Sequence, residues 1–420
     1  MKKFLLVVLT VLLAILTVAS CAHAQQATPD VQSDSAASAE LQDFVRQLCE
    51  LNAGGVKTGN FSDTRDFIEQ KFREALGEDA QLSAAESNVQ QEHFSVEGKS
   101  YWNIVARLVK EGATKQIVIG AHFDSTYGEG AADNAVGIAA LYSTMKQLAA
   151  HANDLPFNIT FVAFDGEEQG LLGSSKFVEN LNNKGQLANT LVMFNIDSIA
   201  LGDNLYLMCE NKHTDLADAI LASSKGIVEK PYARGTYGSY LDVFGYGYYE
   251  TVQGSDHTPF RLAGVPIAFF FSGTYSAEPW GYSESSNKSL QVINTSADTF
   301  DNLTNSGVDY VSRIQTVASA ITQTVLGEGF TQIAENARSQ LVNLNFWYNK
   351  WWASLVILAV LIVLAVLTWL YYRKLQKKAL IDRPEAKTQK VFEKPDASEI
   401  FTFGNGSDKS DIDDIFTFKK

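Results

Sequence analysis

The sequence has few of the residues on which several protein classes depend. Only three cysteines (Cys21, Cys49 and Cys209) occur among 420 residues, too few for a disulfide-stapled scaffold or a site of thiolate metal ligands. Basic residues number 34 against 48 acidic ones, and the net charge of -14 offers no basic surface to phosphate backbones. The composition therefore argues against nucleic-acid binding and leaves the hydrophobic core to hold the fold.

The rest of the composition suits a packed chain. Hydrophobic residues make up 46% of the sequence and aromatic residues 11%, values that exclude a wholly disordered or collagen-like protein. The length allows two or three domains, or one large α/β enzyme with appended segments.

The N-terminal end carries a targeting segment. Lys2 and Lys3 precede an apolar run and the sequence Ala22-His23-Ala24, which together predict a secretory signal peptide over residues 1–24. The same stretch contains Val-Ala-Ser-Cys21, which resembles a bacterial lipobox. Lipidation of Cys21 is therefore an alternative means of anchoring.

A second apolar segment covers residues 351–372 without a charge, the length of a transmembrane helix. Basic residues follow from Arg373, which predicts a single-pass cell-membrane protein with a cytoplasmic C-terminus and an extracellular or periplasmic N-terminal part. The predicted layout is a flexible mature N-terminus (25–40), a folded domain (41–330), a juxtamembrane segment (331–350), the spanning helix (351–372) and a disordered tail (373–420).

In the folded domain, short apolar or β-branched runs alternate with helical patterns. This alternation predicts an α/β fold with a mixed, mostly parallel sheet flanked by helices. The predicted strands are Ile104–Leu108, Gln116–Ala121, Asn158–Phe164, Thr190–Asn195, Asn204–Met208 and Pro266–Phe271, and the predicted helices include Asn134–Ala150, Leu171–Asn182, Thr214–Ser224 and Gly307–Val325. Functional side chains in such sheets gather beyond the carboxyl ends of strands.

The first such end holds a histidine and an acid. In the sequence Gly-Ala-His122-Phe-Asp124, the imidazole can bind a metal while the carboxylate orients it. Asp133 follows among small residues that let the backbone turn tightly before a helix. Taken singly, each residue is also compatible with an ordinary structural role.

Later strand ends carry more acids. Glu167 and Glu168 follow an apolar strand, where two adjacent carboxylates repel each other unless a cation or a proton-transfer role compensates. Asp197 follows the next strand. One histidine, two aspartates and one glutamate as ligands, with a second glutamate as base, describe a two-metal hydrolytic site.

The order and spacing of these motifs closely resemble the M28 family of zinc-dependent peptidases, typically aminopeptidases. The motifs read GAHFD, GAADN, DGEEQGLLGS, NID and GSDHTPF and lie within residues 95–305. The resemblance implies a zinc-exopeptidase-like fold, zinc as cofactor, peptides as substrates and a cis peptide bond between Asp133 and Asn134.

The resemblance also assigns roles by position. Ligands of two zinc ions would be His122 and Asp197 for one ion, Glu168 for the other, and Asp133 bridging both. Glu167 would be the general base that takes a proton from the water between the metals, and Asp124 would orient His122.

One position departs from the family pattern. A histidine in an HTxxDT context completes the second zinc site in the family, and this chain has Asn294 there instead. An amide oxygen is a weaker zinc ligand than imidazole, so the second site should bind metal weakly or bind another divalent metal. Asp256 and His257 in GSDHTPF are expected beside the substrate or behind the ligands. Rescue of the missing ligand by His257 is the alternative.

These residues predict a membrane-anchored exported metallopeptidase that removes N-terminal residues from peptides. One alternative is a catalytically impaired ectodomain that binds peptides or proteins, and another is a glutaminyl-cyclase-like activity on the same fold. The aromatic and glycine-rich residues 232–249 form either a pocket wall or a surface loop. In the tail, Ile-Phe-Thr-Phe occurs at 400–403 and again at 415–418, which suggests a docking motif for a cytoplasmic partner.

Overall fold

The computed structural model describes residues 35–53, 61–78, 87–210, 214–229, 254–275, 282–349 and 351–381. It divides into two units, Met1–Tyr348 and Asn349–Lys420. The predicted signal peptide, Cys21, residues 232–249 and the Ile-Phe-Thr-Phe repeats lie outside the described residues.

The first unit is built on a mixed sheet, to which nine strands contribute within the described part of the chain. They are β1 (Val89–Val96), β2 (Lys99–Leu108), β3 (Gln116–His122), β4 (Asn158–Phe164), β5 (Thr190–Ile196), β6 (Asn204–Cys209), β7 (Ile227–Glu229), β8 (Ile267–Tyr275) and β9 (Tyr282–Ser283). The strand order is β1-β2-β4-β3-β5-β8-β6-β7, with β9 beside β8.

The centre of this sheet is parallel. β4, β3, β5 and β8 pair in parallel, whereas β1 with β2, β2 with β4, and β8 with β6 pair antiparallel. The carboxyl ends of β3, β4 and β5 therefore meet at one edge. The predicted mixed sheet flanked by helices is confirmed.

Helices cover the sheet. They are α1 (Ser35–Asn52), α2 (Ser62–Leu76), α3 (Val136–Ala149), α4 (Leu172–Asn183), α5 (Thr214–Ala222), α6 (His257–Leu262), α7 (Phe300–Asn305), α8 (Tyr310–Leu326) and α9 (Phe330–Asn349). Successive side chains of a strand point to opposite faces, and β3 follows this rule. Ile117 and Ile119 join the larger core cluster, while Val118 joins a second cluster with residues of α4 and α6.

The first helix begins earlier than the sequence predicts. Residues 35–40 were expected to be flexible, but they form the first turns of α1. Glu40 anchors these turns because its carboxylate accepts hydrogen bonds from Tyr142 at 2.6 Å and from Lys146 at 2.7 Å. Deeper in the core, Cys49 and Cys209 are both buried, and no disulfide joins them.

The second unit contains one long helix, α10 (Trp351–Ile381). Its segment Leu358–Lys378 is long and apolar enough to span a membrane by length and composition. The helix continues beyond the predicted end at residue 372, so Arg373 lies on the same helix, with its guanidinium 4.5 Å from the centre of the Trp369 ring.

Candidate metal centre

The histidine at the end of β3 lies in a buried acidic cluster. His122 is 1% exposed, and its Nε2 lies 3.0 Å from Asp133 Oδ1 and 3.4 Å from Asp197 Oδ1. Its Nδ1 lies 3.1 Å from the backbone oxygen of Asp124, a distance that suits a protonated Nδ1 donating to that carbonyl. Nε2 is then the ring nitrogen turned toward the two carboxylates and available to a metal.

Asp133 reaches the cluster from a tight turn between β3 and α3. The peptide bond between Asp133 and Asn134 is cis, as the family resemblance implies. Asp298 supports this turn with both of its carboxylate oxygens, which accept hydrogen bonds from the backbone N–H groups of Ala132 at 2.7 Å and Asp133 at 3.0 Å. The position of the Asp133 carboxylate therefore depends on a residue far along the chain.

Asp197 follows β5 and is fixed by two hydroxyl groups. Ser255 donates to its Oδ2 at 2.6 Å and Ser198 to its Oδ1 at 2.8 Å. Burial opposes ionisation, but His122 and these hydroxyls lower the pKa of Asp197 to about 2. Asp197 thus remains a carboxylate in its buried position.

The turn after β4 carries the two adjacent glutamates. Asp124 accepts a hydrogen bond from the backbone N–H of Glu167 at 3.1 Å and another from that of Glu168 at 3.2 Å. Burial and neighbouring carboxylates such as Asp133 raise the pKa of Glu167 to about 10 and that of Glu168 to about 8, although His122 acts in the opposite direction. Asp124 therefore connects the histidine with both glutamates.

Asn294 lies directly against Glu168. With its amide turned so that both groups find suitable partners, Nδ2 is 2.8 Å from each oxygen of Glu168 and 2.6 Å from Oγ1 of Thr126. The backbone of Asn294 has a φ of 59°, a region in which asparagine is more common than most residues. Asn294 therefore contacts Glu168, the residue predicted to bind the second metal.

Asp256 and His257 are fully buried side chains. Both are 0% exposed, the ring of His257 stacks on Phe269 at 4.3 Å between centroids, and its Nδ1 is 3.4 Å from the amide nitrogen of Asn195. Burial raises the pKa of Asp256 to about 7. Asn195 also donates to Ser255, so this layer lies behind Asp197.

Two other described histidines lie outside the cluster. His93 and His151 are exposed, and His23 and His213 lie outside the described residues.

The electrostatics of the cluster favour a bound cation. Among the residues that the structure describes, His122 is the one basic side chain within 4 Å of Asp124, Asp133 or Asp197. Burial and the charge of Asp197 raise the pKa of Asp133 to about 6, which is the response of a carboxylate held among like charges. One imidazole and two carboxylates whose ligand atoms lie within 4.8 Å of one another are a suitable donor set for zinc.

Two residues that support the cluster were not predicted from the sequence. Asp298 was visible only as part of the stretch beginning at Asn294, and Ser255 only as a member of GSDHTPF. Both residues lie in motifs of the predicted site, but the sequence does not show that Asp298 contacts backbone N–H groups or that Ser255 contacts Asp197.

Known proteins resemble this chain over part of its length. A family model described as Peptidase family M28 matches residues 103–319. Aminopeptidase YwaD of Bacillus subtilis is 32% identical over 174 residues, which cover 39% of this chain and 34% of the relative. A probable lipoprotein aminopeptidase, LpqL of Mycobacterium tuberculosis, is 29% identical over 194 residues, covering 43% and 37%. The chain thus spans just over a third of the length of each of these relatives.

A solved structure supports the fold. The crystal structure of the Legionella pneumophila LapA aminopeptidase matches with a TM-score of 0.50 and 17% identity, over 70% of this chain and 73% of that one. At this identity the similarity concerns the fold alone. Because the family model covers more than half of the sequence, the chain belongs to peptidase family M28.

Proposed function

We propose that the chain is a membrane-anchored, exported metallopeptidase that removes N-terminal residues from peptides. The observation that carries this proposal is the convergence of His122, Asp133 and Asp197 in one buried cluster, with Glu167 on the adjoining turn. Family membership supports peptide hydrolysis, and the names of the two curated relatives support an aminopeptidase.

His122, Asp133 and Asp197 are the residues that would hold a zinc ion. When bound, such an ion supplies a Lewis acid for the scissile carbonyl and lowers the pKa of a coordinated water. The protein keeps the three ligands in place through Asp124, Asp298 and the hydroxyl of Ser255.

Glu167 is the general base in this proposal. Its backbone is fixed by Asp124, and burial together with the charges of Asp197 and Asp256 gives its carboxylate a higher proton affinity than a solvated glutamate has. The positive charge of a zinc ion bound beside it would counter that rise, so that the carboxylate could take a proton from the attacking water and return it to the leaving amine. His257 then acts indirectly, because its Nδ1 lies 3.4 Å from the amide nitrogen of Asn195, which donates to Ser255.

The membrane topology follows from the two ends of the chain. We propose that α10 anchors the protein in the cell membrane, with the peptidase domain (41–330) outside the cell and the tail (373–420) in the cytoplasm. The signal-like N-terminus and the basic residues Arg373, Lys374, Lys377 and Lys378 support this orientation. Docking of a cytoplasmic partner to the Ile-Phe-Thr-Phe repeats stays a prediction.

Glu167→Gln tests the proposed reaction. In the full chain purified in detergent with zinc, the native protein should release the first residue from peptides with a free N-terminus and spare acetylated ones. Glu167→Gln should lower kcat by about 10²-fold to 10⁴-fold and leave bound zinc unchanged. Glu179→Gln, at an exposed glutamate of α4, is the matched control and should behave as the native chain.

Two results would favour the alternatives. The first is binding of peptides without turnover in the native and Glu167→Gln chains alike, which would indicate a catalytically impaired binding module; Asn294 is the observation that favours this reading. The second is loss of ammonia from peptides that begin with glutamine, without cleavage of a peptide bond, which would indicate a glutaminyl-cyclase-like reaction.

A further inference from the structure

We infer that the chain binds one metal ion in its site, whereas its resemblance to the family implies a pair. The reason is that Asn294 and Thr126 hold Glu168 by hydrogen bonds at the position where a second ion would bind. The inference rests on the proposed function, since it concerns the same site. It replaces the expectation of a second, weaker metal at Glu168 and Asn294.

One complete set of metal ligands is present. His122, Asp133 and Asp197 bring one nitrogen and two oxygen atoms within 4.8 Å of one another. Three protein ligands with an open fourth position are what a catalytic zinc ion requires. Within the described part of the chain, no second group of three His, Cys, Asp or Glu side chains converges in this way, and Glu168 does not join the first.

Two neighbouring side chains form hydrogen bonds with Glu168. The Nδ2 group of Asn294 donates to the carboxylate at 2.8 Å and to Thr126 Oγ1 at 2.6 Å. The hydroxyl of Thr126 also hydrogen-bonds to Glu168. The three side chains contact one another, and both the amide of Asn294 and the hydroxyl of Thr126 form hydrogen bonds with Glu168. Hydrogen bonds of this kind give the oxygens of Glu168 partners without a cation.

Residue 294 is a poor zinc ligand. An asparagine can offer a metal only its amide oxygen, a neutral ligand that zinc accepts less readily than imidazole. Turning that oxygen toward an ion would remove the two N–H donors from Glu168 and Thr126. Asn294 is also exposed, so water competes for any ion at this position. Each of these effects disfavours a second zinc ion and leaves the His122 cluster unaffected.

The test is a count of bound zinc. The full chain is purified in detergent, stripped with a chelator, titrated with zinc chloride by calorimetry, and then analysed for metal content after removal of free ions. The native chain should bind one ion. Asn294→Ala should also bind one, because its side chain is not a ligand, whereas Asn294→His should bind two. Asn183→His, which adds an imidazole at an exposed position on α4, is the matched control and should bind one.

The outcomes separate this inference from the proposed function. Two ions in the native chain, falling to one in Asn294→Ala, would show that Asn294 is a ligand, overturning the inference while the peptidase proposal stands. A single ion in Asn294→His, with unchanged thermal unfolding, would show that residue 294 does not set the number and would equally overturn it. No bound ion in the native chain would overturn both.

Discussion

Asp298 supports the turn that carries Asp133, and replacing it with asparagine should weaken zinc binding more than it weakens the fold. Its two oxygens accept hydrogen bonds from the N–H groups of Ala132 and Asp133 at 2.7 and 3.0 Å, and the residue is 3% exposed. Asparagine has the same shape but only one oxygen. Asp298→Asn therefore keeps one of these bonds and turns an amide NH2 toward the other N–H group.

Two opposing terms set the change in stability. A buried N–H group without an acceptor costs about 1–3 kcal/mol. In the other direction, burial raises the pKa of Asp298 from 3.8 to about 6, so the ionised side chain costs roughly 3 kcal/mol relative to its neutral form. Asparagine avoids that cost. The free energy of unfolding of the metal-free chain at pH 7 should therefore change by less than about 2 kcal/mol.

Zinc affinity should respond more strongly than stability. The hydrogen bond to the N–H of Asp133 helps to fix a proposed ligand, and loss of such supporting bonds lowers metal affinity by about 10-fold to 100-fold. Calorimetric titration with zinc measures this effect, and thermal unfolding of the metal-free chain measures the fold. Asp301→Asn, at an exposed acid three residues away, is the control and should change neither. Zinc affinity of Asp298→Asn within about twofold of native would refute the reasoning.

Three further predictions concern the same cluster. Ser255→Ala removes the 2.6 Å bond to Asp197 and should weaken zinc binding about 10-fold in calorimetry; unchanged affinity would contradict the role of that hydroxyl. Burial alone would lower the pKa of His122, but its carboxylate neighbours raise it well above the usual value, so zinc binding at pH 7 should release at least one proton and tighten as pH rises. Calorimetry in buffers of different ionisation enthalpy counts that proton, and a count of zero would count against the cluster. Gly137→Ala would place a Cβ atom 2.0 Å from Oδ1 of Asn134 and should destabilise the chain by about 1–3 kcal/mol in thermal unfolding, so an unchanged Tm would show that the turn can adapt.

The central strands could be predicted because both of their faces are buried. All residues of β3 and β5 are buried, and such strands appear in a sequence as continuous apolar runs. The predicted and observed bounds of β4 are identical, Asn158–Phe164. The predicted ends of β3 and β5 each differ from the structure by one residue.

The antiparallel edge could not be predicted in the same way. β1 (Val89–Val96) is mostly polar, and only Val89 and Phe94 are buried among its residues. It forms a strand because it pairs with β2 over its whole length, from Val89 opposite Ala106 to Val96 opposite Lys99. That pairing also starts β2 five residues before the predicted Ile104. The residues of β1 alone do not indicate that β2 pairs with them.

Part of the candidate site could be predicted from the sequence and part could not. His122, Asp133 and Asp197 each follow a buried strand or a turn of small residues, so their meeting could be predicted from the order of strand ends. The contacts of Asp298 with the Asp133 turn cross 165 residues, and that of Ser255 with Asp197 crosses 58. Hydrogen bonds between such distant loops depend on tertiary packing, and a single sequence does not reveal them.

The most direct test of the metal centre compares two histidines. His122→Ala removes the imidazole of the buried cluster, and His151→Ala removes an exposed one that pairs with Asp154. For the full chain, zinc content and release of N-terminal residues should both be lost in His122→Ala and kept in His151→Ala. Zinc binding and turnover that persist at native levels in His122→Ala would contradict a metal centre at His122, Asp133 and Asp197.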